Sequence, residues 1–180
     1  TCELRRIDAL NQKDNRVLLS RMVPRIFRSY FIGIFLNLKG GFMNLSEFID
    51  YTNLAKVATA EDIMRLCEEA KKYHFPCVCV SPYYVKAASE YLKDSTTEVC
   101  TVIGFPNGYS TKEVKQYEAI DAISNGAKEI DMVININALK NKDYDYVKEE
   151  IELVRDSLAG KVLKVIIETC LLSDDEIIKM

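Results

Sequence analysis

From residue 43 onward, hydrophobic and polar positions alternate between two periods. Residues 77–80 (Cys-Val-Cys-Val), 99–103 (Val-Cys-Thr-Val-Ile), 130–134 (Ile-Asp-Met-Val-Ile) and 162–167 (Val-Leu-Lys-Val-Ile-Ile) are short runs rich in β-branched side chains. They are apolar on both faces, which predicts strands buried in a parallel sheet. A shorter opening strand is expected at Phe48, Ile49 and Asp50. The segments between them repeat at the helical period. Ile63, Leu66, Cys67 and Ala70 make one stripe, with Thr59 as its expected N-cap. Val85, Ala88 and Leu92 make a second, with Pro82 near its first turn. Ser110 and Glu113 read as a capping box for a third helix that Gly126 ends. Val147, Ile151, Val154 and Leu158 form a fourth stripe closed by Gly160, and Ser173 with Glu176 opens a fifth helix.

The order is therefore β-α-β-α, with Cys79, Thr101, Asp131 and Lys164 spaced 22, 30 and 33 residues apart. Parallel strands need helical crossovers of this kind. Two architectures fit: a (β/α)8 barrel, or an open doubly wound sheet of the flavodoxin type serving as a non-catalytic binding or receiver domain. A complete barrel runs to roughly 250 residues. Residues 43–180 supply about five βα units, so the barrel reading is of one truncated after those units.

Charge adds a boundary. Residues 1–42 carry eight basic side chains against three acidic, while the rest carry 16 against 24. The basic part includes the apolar run 30–36, which follows Arg25 and Arg28 in the manner of a leader but is too short to span a bilayer. No small-residue cleavage site follows it. Residues 1–42 are accordingly expected to be a basic extension outside the folded domain, with Met43 a natural start. Across all 180 residues the composition is 48% apolar and 28% charged, with net charge −3, which suits a globular protein and argues against nucleic acid as partner. Six cysteines in a chain of this length are too sparse for a secreted disulfide scaffold and read as reduced thiols of an intracellular protein.

Two of the expected strands carry charge where burial excludes it unless it is paired or functional: Asp131 and Lys164. On consecutive strands both can face one interior, where a carboxylate and an ammonium shift each other's pKa and invite proton transfer; a structural ion pair is the alternative. Asn135 and Glu168, each four residues beyond its charged partner, fall toward the C-terminal rim. Cys77 and Cys79 point two thiols to one face. The sole histidine, His74, lies at an expected helix end, so no metal set is assembled and none is expected. Gly104 to Gly108 contain no phosphate-loop pattern.

Read in order, Phe-Ile-Asp50-Tyr-Thr52-Asn-Leu54, Val-Cys79-Val-Ser-Pro82, Thr101-Val-Ile-Gly104-Phe-Pro106-Asn-Gly108, Glu-Ile-Asp131-Met-Val-Ile-Asn135 and Leu-Lys164-Val-Ile-Ile-Glu168-Thr169 resemble the deoxyribose-phosphate aldolase family. The resemblance covers residues 43–180 and leaves 1–42 without a counterpart. It implies a TIM (β/α)8 barrel and a cytoplasmic class I lyase without cofactor or metal. That lyase reversibly cleaves 2-deoxy-D-ribose 5-phosphate to D-glyceraldehyde 3-phosphate and acetaldehyde through a lysine Schiff base. Its partners would be the sugar phosphate and the aldehydes, with no nucleic acid and no membrane; a homodimer is one assembly left open.

Carried over by position, Asp131 matches the catalytic aspartate that relays protons. Cys79 matches a pocket thiol. Asp50, Thr52 and Leu54 match the first-strand motif, in which Tyr51 stands where the family usually has His. Lys164 matches a lysine near the substrate that does not form the imine. The Schiff-base lysine, a second relay lysine and the phosphate loops of the family belong to later strands with no counterpart among residues 1–180. The resemblance thus implies a catalytic aspartate without its amine.

Overall fold

The computed structural model describes residues 35–38 and 41–180, so most of the basic segment and of the leader-like run lies outside the described residues. Strands β1 (Phe35–Leu38) and β2 (Gly41–Asn44) pair antiparallel as a separate two-stranded sheet. This hairpin runs across the 42/43 boundary suggested by charge.

The remaining elements alternate. β3 (Asp50–Asn53) is followed by α1 (Ala60–Tyr73), β4 (Cys77–Val80), α2 (Val85–Tyr91), β5 (Glu98–Ile103), α3 (Lys112–Ser124), β6 (Glu129–Val133), the short α4 (Ile136–Lys140), α5 (Tyr144–Ser157), β7 (Val162–Ile166) and α6 (Asp174–Lys179). Single 3-10 turns precede β3 and α2 and follow β7.

All five strands from β3 to β7 are parallel, and each pairs with its sequence neighbours in the order β3-β4-β5-β6-β7. A flavodoxin-type sheet places its first strand between the second and third. The sequential order removes that reading and leaves the barrel arrangement.

Strand side chains alternate between two apolar layers. Val78, Val80, Val99, Ile103, Ile130 and Met132 pack outward under the helices, against Ile63, Leu66 and Ala70 of α1, Ala119 and Ala122 of α3, and Val147 and Val154 of α5. Cys77, Cys79, Cys100 and Val102 form a second, smaller cluster on the inner face, with Leu54 against it. α1, α2, α3 and α5 are thus crossovers whose buried residues cover the outer face of the sheet.

Several expectations shift in detail. The opening strand is Asp50–Asn53 rather than residues 48–50, because residues 45–48 wind into a 3-10 turn before the chain extends. β7 was expected to be buried on both faces. Instead it is the edge of the described sheet, with Val162 37% and Val165 36% exposed. The capping box expected from Ser110 and Glu113 does not form. Thr111 is the N-cap and makes no side-chain cap bond, and the first turn is held from α5, where Tyr146 Oη accepts the Lys112 N–H at 3.3 Å. At α1 the box does form, between Thr59 and Asp62, and the helix closes at His74, an exposed C-cap at φ 57°.

These two helix starts give a paired test. Thr59→Ala removes a cap oxygen and is expected to lower unfolding stability by about 1 kcal/mol, whereas Ser110→Ala removes no cap and leaves it unchanged. Urea unfolding of both variants checks this, and an equal loss in the two would contradict the assignment.

Candidate active site

The inner face of the sheet is polar where it should be oily. Period-two alternation turns Asp50 and Thr52 of β3, Cys77 and Cys79 of β4, Cys100 and Val102 of β5, Glu129 and Asp131 of β6, and Lys164 of β7 to one side. Register then sets heights: Cys79 lies opposite Thr52 and Cys100, and Asp131 lies opposite Val102 and Lys164.

Lys164 is the hub. Its Nζ lies 2.5 Å from Asp50 Oδ2, 3.0 Å from Asp131 Oδ1 and 3.1 Å from Glu129 Oε2, and it reaches Cys100 Sγ at 3.7 Å. The Asp50 contact joins the two ends of the sheet. Four interstrand gaps of about 4.8 Å would separate β3 from β7 by roughly 19 Å in a flat sheet, far beyond the reach of a lysine meeting an aspartate. The sheet therefore curls around its inner face, as a barrel wall does.

Three carboxylates share one ammonium here, and Asp50, Glu129 and Asp131 are each at most 5% exposed. Like charges so close, out of water, cannot all ionise freely. Burial first, and the negative Cys100 sulfur second, push the Asp131 carboxyl up to about 8 against the opposing pull of Lys164. Burial alone would lower Lys164, but Cys100, Asp131, Asp50 and Glu129 together outweigh it and hold the ammonium above the ordinary lysine range. Cys100 is drawn down by the hydrogen bonds of Cys77 and Cys79, with Lys164 adding to the effect against burial. Those bonds to Cys100, reinforced by burial, raise Cys77 and Cys79 themselves.

Cys79, Cys100 and Asp131 place their ligand atoms within 4.8 Å of one another, as do Asp50, Cys77 and Glu129. Both triplets border the Lys164 ammonium, which supplies the positive charge between them.

The six residues carried over by position from the family resemblance come to this interior: Asp131, Cys79, Asp50, Thr52, Leu54 and Lys164. Thr52 is half-buried, and its Oγ1 donates to the Asp50 carbonyl at 2.9 Å. Leu54 packs on the thiol cluster. Asn135 and Glu168 sit just past the C-terminal ends of β6 and β7; the Asn135 Oδ1 accepts the Ala138 N–H as N-cap of α4, and Glu168 takes φ 53°. Tyr51 points the other way: it stacks on Phe75 at 4.8 Å and its hydroxyl donates to Glu69 of α1 at 2.5 Å. The departure from the usual His at that position therefore falls on the helix side of the sheet.

Sequence reasoning passed over Glu129 and Cys100. The signal for Glu129 was present, since it stands two residues before Asp131 and must share its face.

A family model described as "DeoC/LacD family aldolase" matches residues 45–179. The chain is 55% identical over 138 residues to the deoxyribose-phosphate aldolase of Clostridium tetani, covering 76% of this chain and 64% of that protein. It is 54% identical over 138 residues to that of Enterococcus faecalis, covering 76% and 63%. Among solved structures, the tetrameric deoxyribose phosphate aldolase from Aeropyrum pernix superposes with a TM-score of 0.64 at 34% identity, over 74% of this chain and 56% of that one. The chain thus spans under two thirds of the length of the curated relatives it matches. The matched stretch takes in every strand of the curled sheet and every residue around Lys164, and the chain belongs to the DeoC/LacD family of aldolases.

Proposed function

We propose that this chain carries the proton-handling half of a deoxyribose-phosphate aldolase. In the whole protein the reaction is the reversible cleavage of 2-deoxy-D-ribose 5-phosphate to D-glyceraldehyde 3-phosphate and acetaldehyde. The observation that carries this reading is the Asp131–Lys164 pair, 3.0 Å apart on adjacent strands at the centre of the curled sheet. A carboxyl group raised to about 8 still holds its proton near neutrality, where a general acid and base is most effective. Asp131 is thereby suited to pass protons to and from the carbon and oxygen atoms that change charge during carbon–carbon cleavage. Cys79, Leu54 and Thr52 form the wall beside it, and Asp50 holds Lys164 from the opposite edge.

Lys164 does not suit the imine-forming role. A lysine that attacks a carbonyl must be present as free amine, which requires a depressed pKa. The Cys100 sulfur and the three acids around Nζ together drive it the other way. The family resemblance places the amine nucleophile and the phosphate anchor on later strands of the barrel, and the present residues alone are expected to give no turnover. Sugar phosphate and aldehydes are the partners this reading requires, acting without a cofactor in a cytoplasmic enzyme. Among the described residues no helix is long and apolar enough to cross a membrane.

Two outcomes test this reading. In the whole protein that carries this chain, acetaldehyde release from 2-deoxy-D-ribose 5-phosphate should fall by about 100-fold or more on Asp131→Asn, the scale of a lost general acid–base group; unchanged release would overturn the assignment. In the chain itself, Asp131 binds its proton more tightly folded than unfolded. Its contribution to stability is therefore complete below pH 3.8 and is lost as pH rises to about 8. Urea unfolding across that window should show a shallower fall with pH for Asp131→Asn than for the unsubstituted chain, and identical slopes would contradict the raised pKa.

A further inference from the structure

Away from Lys164, the structure buries a second ion pair that the sequence reading did not single out. Lys115 of α3 and Glu150 of α5 are both fully inaccessible, with Nζ 2.6 Å from Oε2. The other carboxylate oxygen, Oε1, accepts the backbone N–H of Asn135 at 2.6 Å. One turn along α3, Glu118 Oε2 accepts the N–H of Gly104 at 2.7 Å. The outer helices thus reach through the fold to hold two backbone amides just beyond the ends of β5 and β6.

Packing ties the same two loops together. Gly104 takes φ +59°, and a Cβ there would lie 2.9 Å from Lys115 Cε, so the lysine stem fills the space beneath the loop. At Gly108 a Cβ would fall 1.9 Å from the carbonyl oxygen of Ile134, so the loop after β5 rests directly on the backbone after β6. Asn135 is four residues beyond Asp131, and both loops stand at the C-terminal ends of strands, where (β/α) folds build their sites.

Stability alone does not account for the pair. A buried ion pair replaced by apolar groups of similar volume is often neutral or stabilising. What apolar groups cannot supply is an acceptor for the Asn135 N–H. We propose that Lys115 and Glu150 are positioning residues: Glu150 fixes the backbone at the mouth above Asp131, and Lys115 neutralises it so that a carboxylate can be buried there. The proposal rests on the aldolase reading only for what the mouth admits.

Amide hydrogen exchange by NMR tests it on the chain itself, independently of aldolase activity. In the double variant K115L/E150L, the Asn135 amide should exchange about tenfold faster or more, the scale of one lost hydrogen bond to a charged group. The Met132 amide, in the middle of β6, should exchange as before. In K115M/E150Q, which keeps the lysine stem and an acceptor oxygen, Asn135 should retain its protection. Equal acceleration at Met132 and Asn135, or failure of K115L/E150L to fold, would show a pair that serves stability and overturn the proposal. So would an unchanged Asn135 in K115L/E150L or a lost one in K115M/E150Q. Failure of the aldolase reading would leave all of these rates as stated.

Discussion

The ammonium of Lys164 carries more of this structure than any other single group. It forms ion pairs with carboxylates from the first and the fourth strands of the curled sheet while itself standing on the fifth. Burying a cation and three acids in one interior has a large desolvation cost, and only close mutual contact offsets it. Removing Lys164 would leave Asp50, Glu129 and Asp131 facing one another without a counter-charge, whereas removing any one acid leaves the lysine still paired. The asymmetry makes the lysine the element on which the shape of the inner face and the protonation of its acids both depend.

That dependence explains the division of the fold into two layers. The outer face of the sheet is an ordinary aliphatic core, Ile63, Val78, Ile130 and Met132 among its members, and it needs nothing beyond good packing. The inner face has few apolar residues and is organised by charge and thiols instead. Cys77, Cys79 and Cys100 cluster with Val102 beside the acids, small and polarisable enough to fit among them. A carboxyl group whose proton is held near neutral pH follows from this placement. Asp131 would be an ordinary acid on the surface; burial and crowding are what change it.

The helical stripes, the succession of the strands and six residues of the interior were legible in the sequence, because each is written in a local period or in a motif, whereas Glu129 and Cys100 were passed over. Ile63, Leu66, Cys67 and Ala70 lie buried on α1 as their spacing requires. Asp131 and Lys164 stood out as charges inside apolar runs. What was hidden depends on partners distant in the chain. Asp50 and Lys164 are 114 residues apart and meet only because the sheet curls. Ser110 lost its cap to a tyrosine hydroxyl of another helix. Lys115 stands in line with Ala119 and Ala122 on the buried face of α3, a spacing that could have betrayed it, but its partner Glu150 is invisible without the packing of α3 on α5. The exposure of β7 depends on what lies beside it, which no pattern within β7 records.

The state of the Lys164 side chain tests this account most directly. A nitrogen-15 NMR titration of its Nζ should show an ammonium that persists past about pH 10.4, where an ordinary lysine is half deprotonated. A Lys164 amine that loses its proton below that point would mean that the carboxylates do not hold it, and the curled, charge-organised interior described here would be wrong.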